Sequence, residues 1–156
     1  MSTQNTEEKF SLALESIQGK RRIERVLEAA NALLERYATQ HDPKERLRLV
    51  FELVRRNFTP ETAITFGGFS LGTDGLVGVA GPEAVPPAPT ASNGEIRGRT
   101  VFYCKLDVPG GETGSLTAFY TEPGSLGLTE AEWLAAMRLL AGIAGLGVGG
   151  HATCPS

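Results

Sequence analysis

VFYCKLDVPGGETGSLTAFY, residues 101–120, sets two β-rich stretches around a Pro-Gly-Gly-Glu turn. Phe102, Cys104 and Leu106 alternate with Tyr103 and Lys105. That two-residue period belongs to a strand with one face toward a core. The spacing predicts strands over 98–108 and 113–121, with the chain turning at residues 109–112. Downstream, EPGSLGL is a loop, and Thr129-Glu130-Ala131-Glu132 has the form of a capping box, with Leu128 placed to staple onto Trp133. The helix that follows is expected to bury Trp133, Leu134, Met137, Leu140, Ala141 and Ala144. Its small residues, Ala141, Gly142, Ala144 and Gly145, admit another backbone closely, from either the N-terminal helix or a sheet. From Gly149 the chain reads as a frayed tail.

Upstream, residues 61–71 (ETAITFGGFSL) are β-branched and aromatic and predict one strand. Asp74-Gly75 predicts a hairpin turn over 72–75, because Asp-Gly tolerates the positive φ angles of tight turns. Residues 76–81 then form the returning strand. Residues 82–96 hold four prolines and no periodicity, the composition of a long loop.

The first third of the chain is different. Only Gly19, of nineteen glycines, precedes residue 66. Residues 1–58 carry eleven Lys/Arg against nine Asp/Glu, and the remainder carries four against nine. Phe10, Ala13, Leu14 and Ile17 predict a helix over 7–18, bent or loosened at Gly19. Ile23, Val26, Leu27, Ala30, Leu33, Leu34 and Tyr37 continue its apolar face. Within that face Ile23, Val26, Ala30, Leu33 and Tyr37 follow the spacing of a short coiled-coil seam, which either packs on its own domain or also meets a second subunit. Asp42-Pro43-Lys44-Glu45 starts a second helix: Asp42 caps, Pro43 takes the first position, and Glu45 reaches back to the cap amide. Leu47, Val50, Phe51, Val54 and Phe58 are its buried face, and Thr59-Pro60 ends it.

The formal net charge of −3 over 156 residues argues against nucleic acid as the main partner. No apolar run reaches membrane-spanning length. Two cysteines are too few for a secreted disulfide framework, and the polar, acidic N-terminus is no signal peptide. A cytoplasmic protein is expected.

The order helix, helix, hairpin, loop, hairpin, capped helix resembles a GAF domain over roughly residues 20–148. The resemblance is carried by Val101–Tyr120, Pro123 and Leu128-Thr129-Glu130-Ala131-Glu132-Trp133-Leu134, with Ala141 and Ile143 beyond. It implies an α+β fold: a central antiparallel sheet with N- and C-terminal helices packed on one face. Residues 1–19 would then be a helical extension and 149–156 a flexible tail. It further implies a stand-alone sensory or regulatory module that binds a small molecule or a protein partner. Signalling would run through a homodimer built on Ile23, Val26, Ala30, Leu33, Tyr37 and the C-terminal helix. The residue patterns for cyclic nucleotides and for bilin attachment are absent, so no cofactor is assigned. The alternatives are an interaction module without ligand, and a small redox enzyme of the methionine sulfoxide reductase type.

Arg97 and Arg99 flank Gly98 at the loop's exit. They either hold an anionic ligand or stand solvated at a sheet edge. Tyr103 and Lys105 lie on the strand face opposite Cys104, which meets a ligand, a helix or water. Arg97, Arg99, Tyr103 and Lys105 are the candidate ligand set. Cys104 reads as a small buried hydrophobe. His151 and Cys154 have the spacing of half a metal site without a second half, so no metal is expected. No nucleophile–base pair stands out, and a non-catalytic protein is expected.

Overall fold

The computed structural model describes residues 2–72, 94–96, 99–120 and 126–154. They form α1 (Ser2–Tyr37), α2 (Pro43–Asn57), β1 (Thr62–Phe66), β2 (Phe69–Gly72), β3 (Gly94–Ile96), β4 (Arg99–Asp107), β5 (Thr113–Phe119), α3 (Glu130–Gly147) and β6 (His151–Thr153). The class is α+β. One antiparallel sheet runs β2-β1-β5-β4-β3, and β6 pairs with β4 beside β3. Against the sheet, α2 packs on β1 and β2, and α3 on β4 and β6, while α1 packs on α2 and α3. Among the described residues no helix is long and apolar enough to cross a membrane.

Strand register divides the sheet into two faces. Leu71, Ile64, Leu116 and Cys104 oppose one another across β2, β1, β5 and β4. So do Phe69, Phe66, Gly114, Leu106 and Ala152, reaching β6. These rows meet Leu47, Val50 and Val54 of α2 and Trp133, Met137 and Leu140 of α3 in a single core. Each fully buried Leu, Val or Met there contributes on the order of 1.5–3 kcal/mol. Trp133 is fully buried, with Tyr120 edge-on at 5.3 Å between ring centroids.

The helix starts behave largely as the sequence predicts. Asp42 accepts from the Lys44 amide at 3.0 Å, and Pro43 opens α2. Glu45 does not reach back to the cap. Gln40 Oε1 takes the Asp42 amide at 3.2 Å, and Glu45 pairs with Arg48 at 3.3 Å. The capping box at Thr129 and Glu132 closes in both directions, at 3.2 and 3.0 Å. Arg22 of α1 grips the same Glu132 carboxylate through Nε at 2.9 Å and Nη2 at 3.2 Å.

Other expectations meet mixed outcomes. First, α1 runs unbroken through Gly19. One glycine costs a helix only about 1 kcal/mol, which the good helix formers on either side absorb. Second, the seam packs within its own chain, one of its two expected placements. Val26, Ala30, Leu33 and Tyr37 are buried in the protein's own core, and only Ile23 stays exposed. Phe10, Leu14 and Ile17 do not continue that face and remain exposed. Third, residues 61–71 are not one strand. The chain reverses at Gly67-Gly68, so that Phe66 opposes Phe69. Gly67 alone of the two has a positive φ, +59°, the requirement of a type II′ hairpin turn. The turn expected at residues 72–75 and the strand at 76–81 lie, from residue 73 on, outside the described residues. Fourth, the tail forms β6. Gly149, at φ +78°, turns the chain back, and the Gly150 amide bonds Gly145 O at 2.9 Å.

The small residues of α3 explain how β6 fits. A Cβ on Gly145 would lie 2.7 Å from the Ala152 amide nitrogen, so helix and strand backbones touch there. A Cβ on Gly147 would lie 2.7 Å from the Tyr37 hydroxyl. That hydroxyl donates to Ile143 O at 3.2 Å, and burial pushes its pKa up to about 12 against the opposing charge of Arg46. The Arg46 guanidinium lies 4.9 Å over the Tyr37 ring. It donates to Tyr37 O, Gln40 O and, at 3.4 Å, Gly147 O.

Two outcomes are expected. Asp42→Ala removes an observed cap and lowers stability by about 1 kcal/mol, read from the urea denaturation midpoint. Glu132 titrates below its ordinary range, chiefly because Arg22 hydrogen-bonds its carboxylate. A depressed carboxyl stabilises the fold above its unfolded pKa, about 4.3, and that contribution is lost as pH falls through the folded value. Glu132→Gln therefore shows a shallower loss of thermal stability than wild type below about pH 4.3.

Candidate ligand-binding face

The sheet face turned away from the helices is built from the other half of each strand. Register sets Ser70, Thr65, Ser115, Lys105 and Thr153 in one row across β2, β1, β5, β4 and β6. Four hydroxyls and one ammonium thus line up on one side of the pleat. The next row is Gly72, Ala63, Thr117 and Tyr103. Ala63 and Thr117 have no exposed surface, Tyr103 is half-buried, and Lys105 is exposed. The face therefore closes toward Thr117 and opens toward Lys105.

A hollow of about 470 Å³ lies over the open end, lined by Thr65, Ser70, Tyr103, Lys105, Glu112 and Ser115 among others. Thr65 Oγ1 and Ser115 Oγ share a hydrogen bond at 2.9 Å. Lys105 Nζ stands 3.6 Å from Asp107 Oδ1, two residues along the same face. Burial pushes the Tyr103 phenol up, with Cys104 and Asp107 adding to the shift, so it stays a neutral donor. Two glycines shape the floor and one wall. A Cβ on Gly114 would lie 2.0 Å from Thr65 O, and one on Gly67 would lie 2.4 Å from Glu112 Oε2. The hollow thus offers hydroxyls, one ammonium and one carboxylate among its lining groups.

Thr117 adds a second observation. Its Oγ1 is buried and has no hydrogen-bond partner among the described residues. A buried hydroxyl left unpaired costs about 1–3 kcal/mol, so a native protein keeping one on this face needs a reason.

Of the four predicted ligand residues, Tyr103 and Lys105 both line the hollow. Arg97 lies outside the described residues, as do residues 82–93 of the loop expected over 82–96; its last three residues, Gly94–Ile96, form β3 instead, paired with the start of β4. Arg99 opens β4 opposite Ile96, and its side chain is outside the described set. Thr65, Ser70, Ser115 and Thr117 escaped the sequence reading, since short hydroxyl residues in strands carry no motif. Only the pairing register brings them together. The two cysteines, fifty residues apart in the sequence, are brought into contact on the opposite face.

Thr117→Val keeps the shape of the side chain and removes the orphan hydroxyl. In ligand-free protein it is expected to raise the unfolding free energy by about 1 kcal/mol, measured by urea denaturation.

Compared with protein-family models, with curated proteins and with solved structures, the chain finds no match in any of the three.

Proposed function

We propose that the protein is a GAF-like sensory or regulatory module that takes a small polar molecule on the open face of its sheet and passes the signal through a homodimer of its helices. The observation that carries the reading is the hollow beside Tyr103 and Lys105, with its hydroxyl row and the unpaired Thr117 hydroxyl behind it. The resemblance in element order supports the sensory class, while fold alone never fixes function. The ligand class follows from the lining: a molecule with acceptors for Lys105 and Tyr103 and a donor for Glu112. The dimer half rests on the apolar residues left outside the core, not on the buried seam. Ile23, Leu27 and Leu139 line one groove of about 290 Å³ between α1 and α3. They are 53%, 50% and 39% exposed.

Native mass spectrometry of protein purified without denaturation reads both halves at once. A small-molecule adduct on a dimeric species is expected. Ser115→Leu, which fills the hollow, is expected to lose the adduct and keep the dimer. Leu27→Glu with Leu139→Glu is expected to keep the adduct and lose the dimer. Wild-type protein that is ligand-free under every gentle condition ends the sensory reading.

A further inference from the structure

The hollow leaves one reactive cluster unexplained, on the buried face of the same strand. Lys105–Thr153 and Leu106–Ala152 are paired in β4 and β6, and one register step further sets Cys104 against Cys154. The two Sγ atoms lie 2.8 Å apart, and both cysteines are free thiols. We infer that Cys104 and Cys154 form a redox modification site, at which a hydroperoxide converts the thiol pair into a disulfide that ties β6 to β4.

The backbone already suits the bond. Facing residues of adjacent antiparallel strands have Cα atoms about 4.5–5.5 Å apart. A disulfide spans about 4.4–6.8 Å. The close fit of Gly145 against His151 and Ala152 holds β6 in that register.

The two sulfurs have different roles. Cys104 is fully buried and Cys154 half-buried, so a small oxidant reaches Cys154 first. The hydrogen-bonded contact between the two sulfurs and the positive charge of Arg138 draw the Cys154 thiol down, whereas the same contact and burial hold the Cys104 proton in place. The Cys154 thiolate attacks the O–O bond of the hydroperoxide. An S–O bond forms, the O–O bond breaks, and alkoxide or hydroxide leaves and takes a proton from water. The sulfur is now a sulfenic acid, oxidised by two electrons, and the peroxide is reduced. The Cys104 sulfur then displaces the hydroxyl. An S–S bond forms, the S–O bond breaks, and the hydroxyl leaves with the Cys104 proton as water. A dithiol such as dithiothreitol reverses the bond by becoming a disulfide itself.

The full chain, fully reduced, is treated with hydrogen peroxide at one equivalent, quenched by alkylation under denaturing conditions and weighed intact. The expected product has lost two hydrogens, takes up no alkyl group, keeps the mass of a single chain at every protein concentration, and returns to two alkylated thiols after dithiothreitol. Cys104→Ala leaves a Cys154 sulfenic acid that dimedone traps, and Cys154→Ser leaves Cys104 unoxidised at the same dose. The wild-type measurement decides the matter even if a variant fails to fold. Two alkylatable thiols after peroxide, sulfinate on Cys154 with Cys104 still free, or a disulfide between chains each overturns the inference.

Discussion

Three helices meet at one guanidinium, and the placement of everything else follows from that meeting. Arg46 of α2 binds the carbonyl at the end of α1, a carbonyl in the connection between α1 and α2, and the last carbonyl of α3. Helix ends present carbonyls with no partner inside the helix, and a buried end without a donor is costly. One planar cation with several donors settles two ends together. Tyr37 completes the joint from below, stacking under Arg46 and bonding to α3, and Gly147 leaves the room for its ring. With the helix layer fixed, one face of the sheet becomes core. The polar half of each strand is then free of that packing.

The sequence made the local features plain and the distant ones invisible. The hairpin of residues 101–120, the Asp42 cap and the Thr129–Glu132 box each follow from neighbours a few residues apart, where steric rules and hydrogen-bond geometry decide. The turn in residues 61–71 was misplaced because Asp74-Gly75 is the stronger turn signal, while Gly67-Gly68 sits inside an apolar run that reads as continuous strand. β6 was missed because His151-Ala-Thr153 has no β pattern; its pairing comes from the glycine turn and the vacant edge of β4. The seam on α1 was visible, but periodicity marks only that a face is buried, not which surface buries it. The hydroxyl row and the nearness of Arg138 to the cysteines are products of register and of helix docking, so no window of sequence contains them.

β4 joins the two halves of the molecule's chemistry. Its odd-numbered side chains Tyr103 and Lys105 face the hollow, and its even-numbered Cys104 and Leu106 face the core. Adjacent residues of one strand cannot move independently, because the pleat couples them. Whatever alters the position of β6 along the edge of β4 also bears on the backbone that carries Lys105, which is the direct partner of Thr153.

Helix α1 is 36 residues long, about 54 Å at 1.5 Å per residue. Among its described side chains the first buried one is Val26; between Thr6 and Arg25 none is buried. Mechanically it is a lever whose fulcrum is the Arg46–Tyr37 joint and the Arg22–Glu132 pair, with an arm of roughly 30 Å beyond them. A tilt of about 10° at the fulcrum, less than the scatter among packed helix pairs, sweeps the tip through about 5 Å. A displacement too small to notice in the core becomes, at the far end of that arm, the size of a side chain.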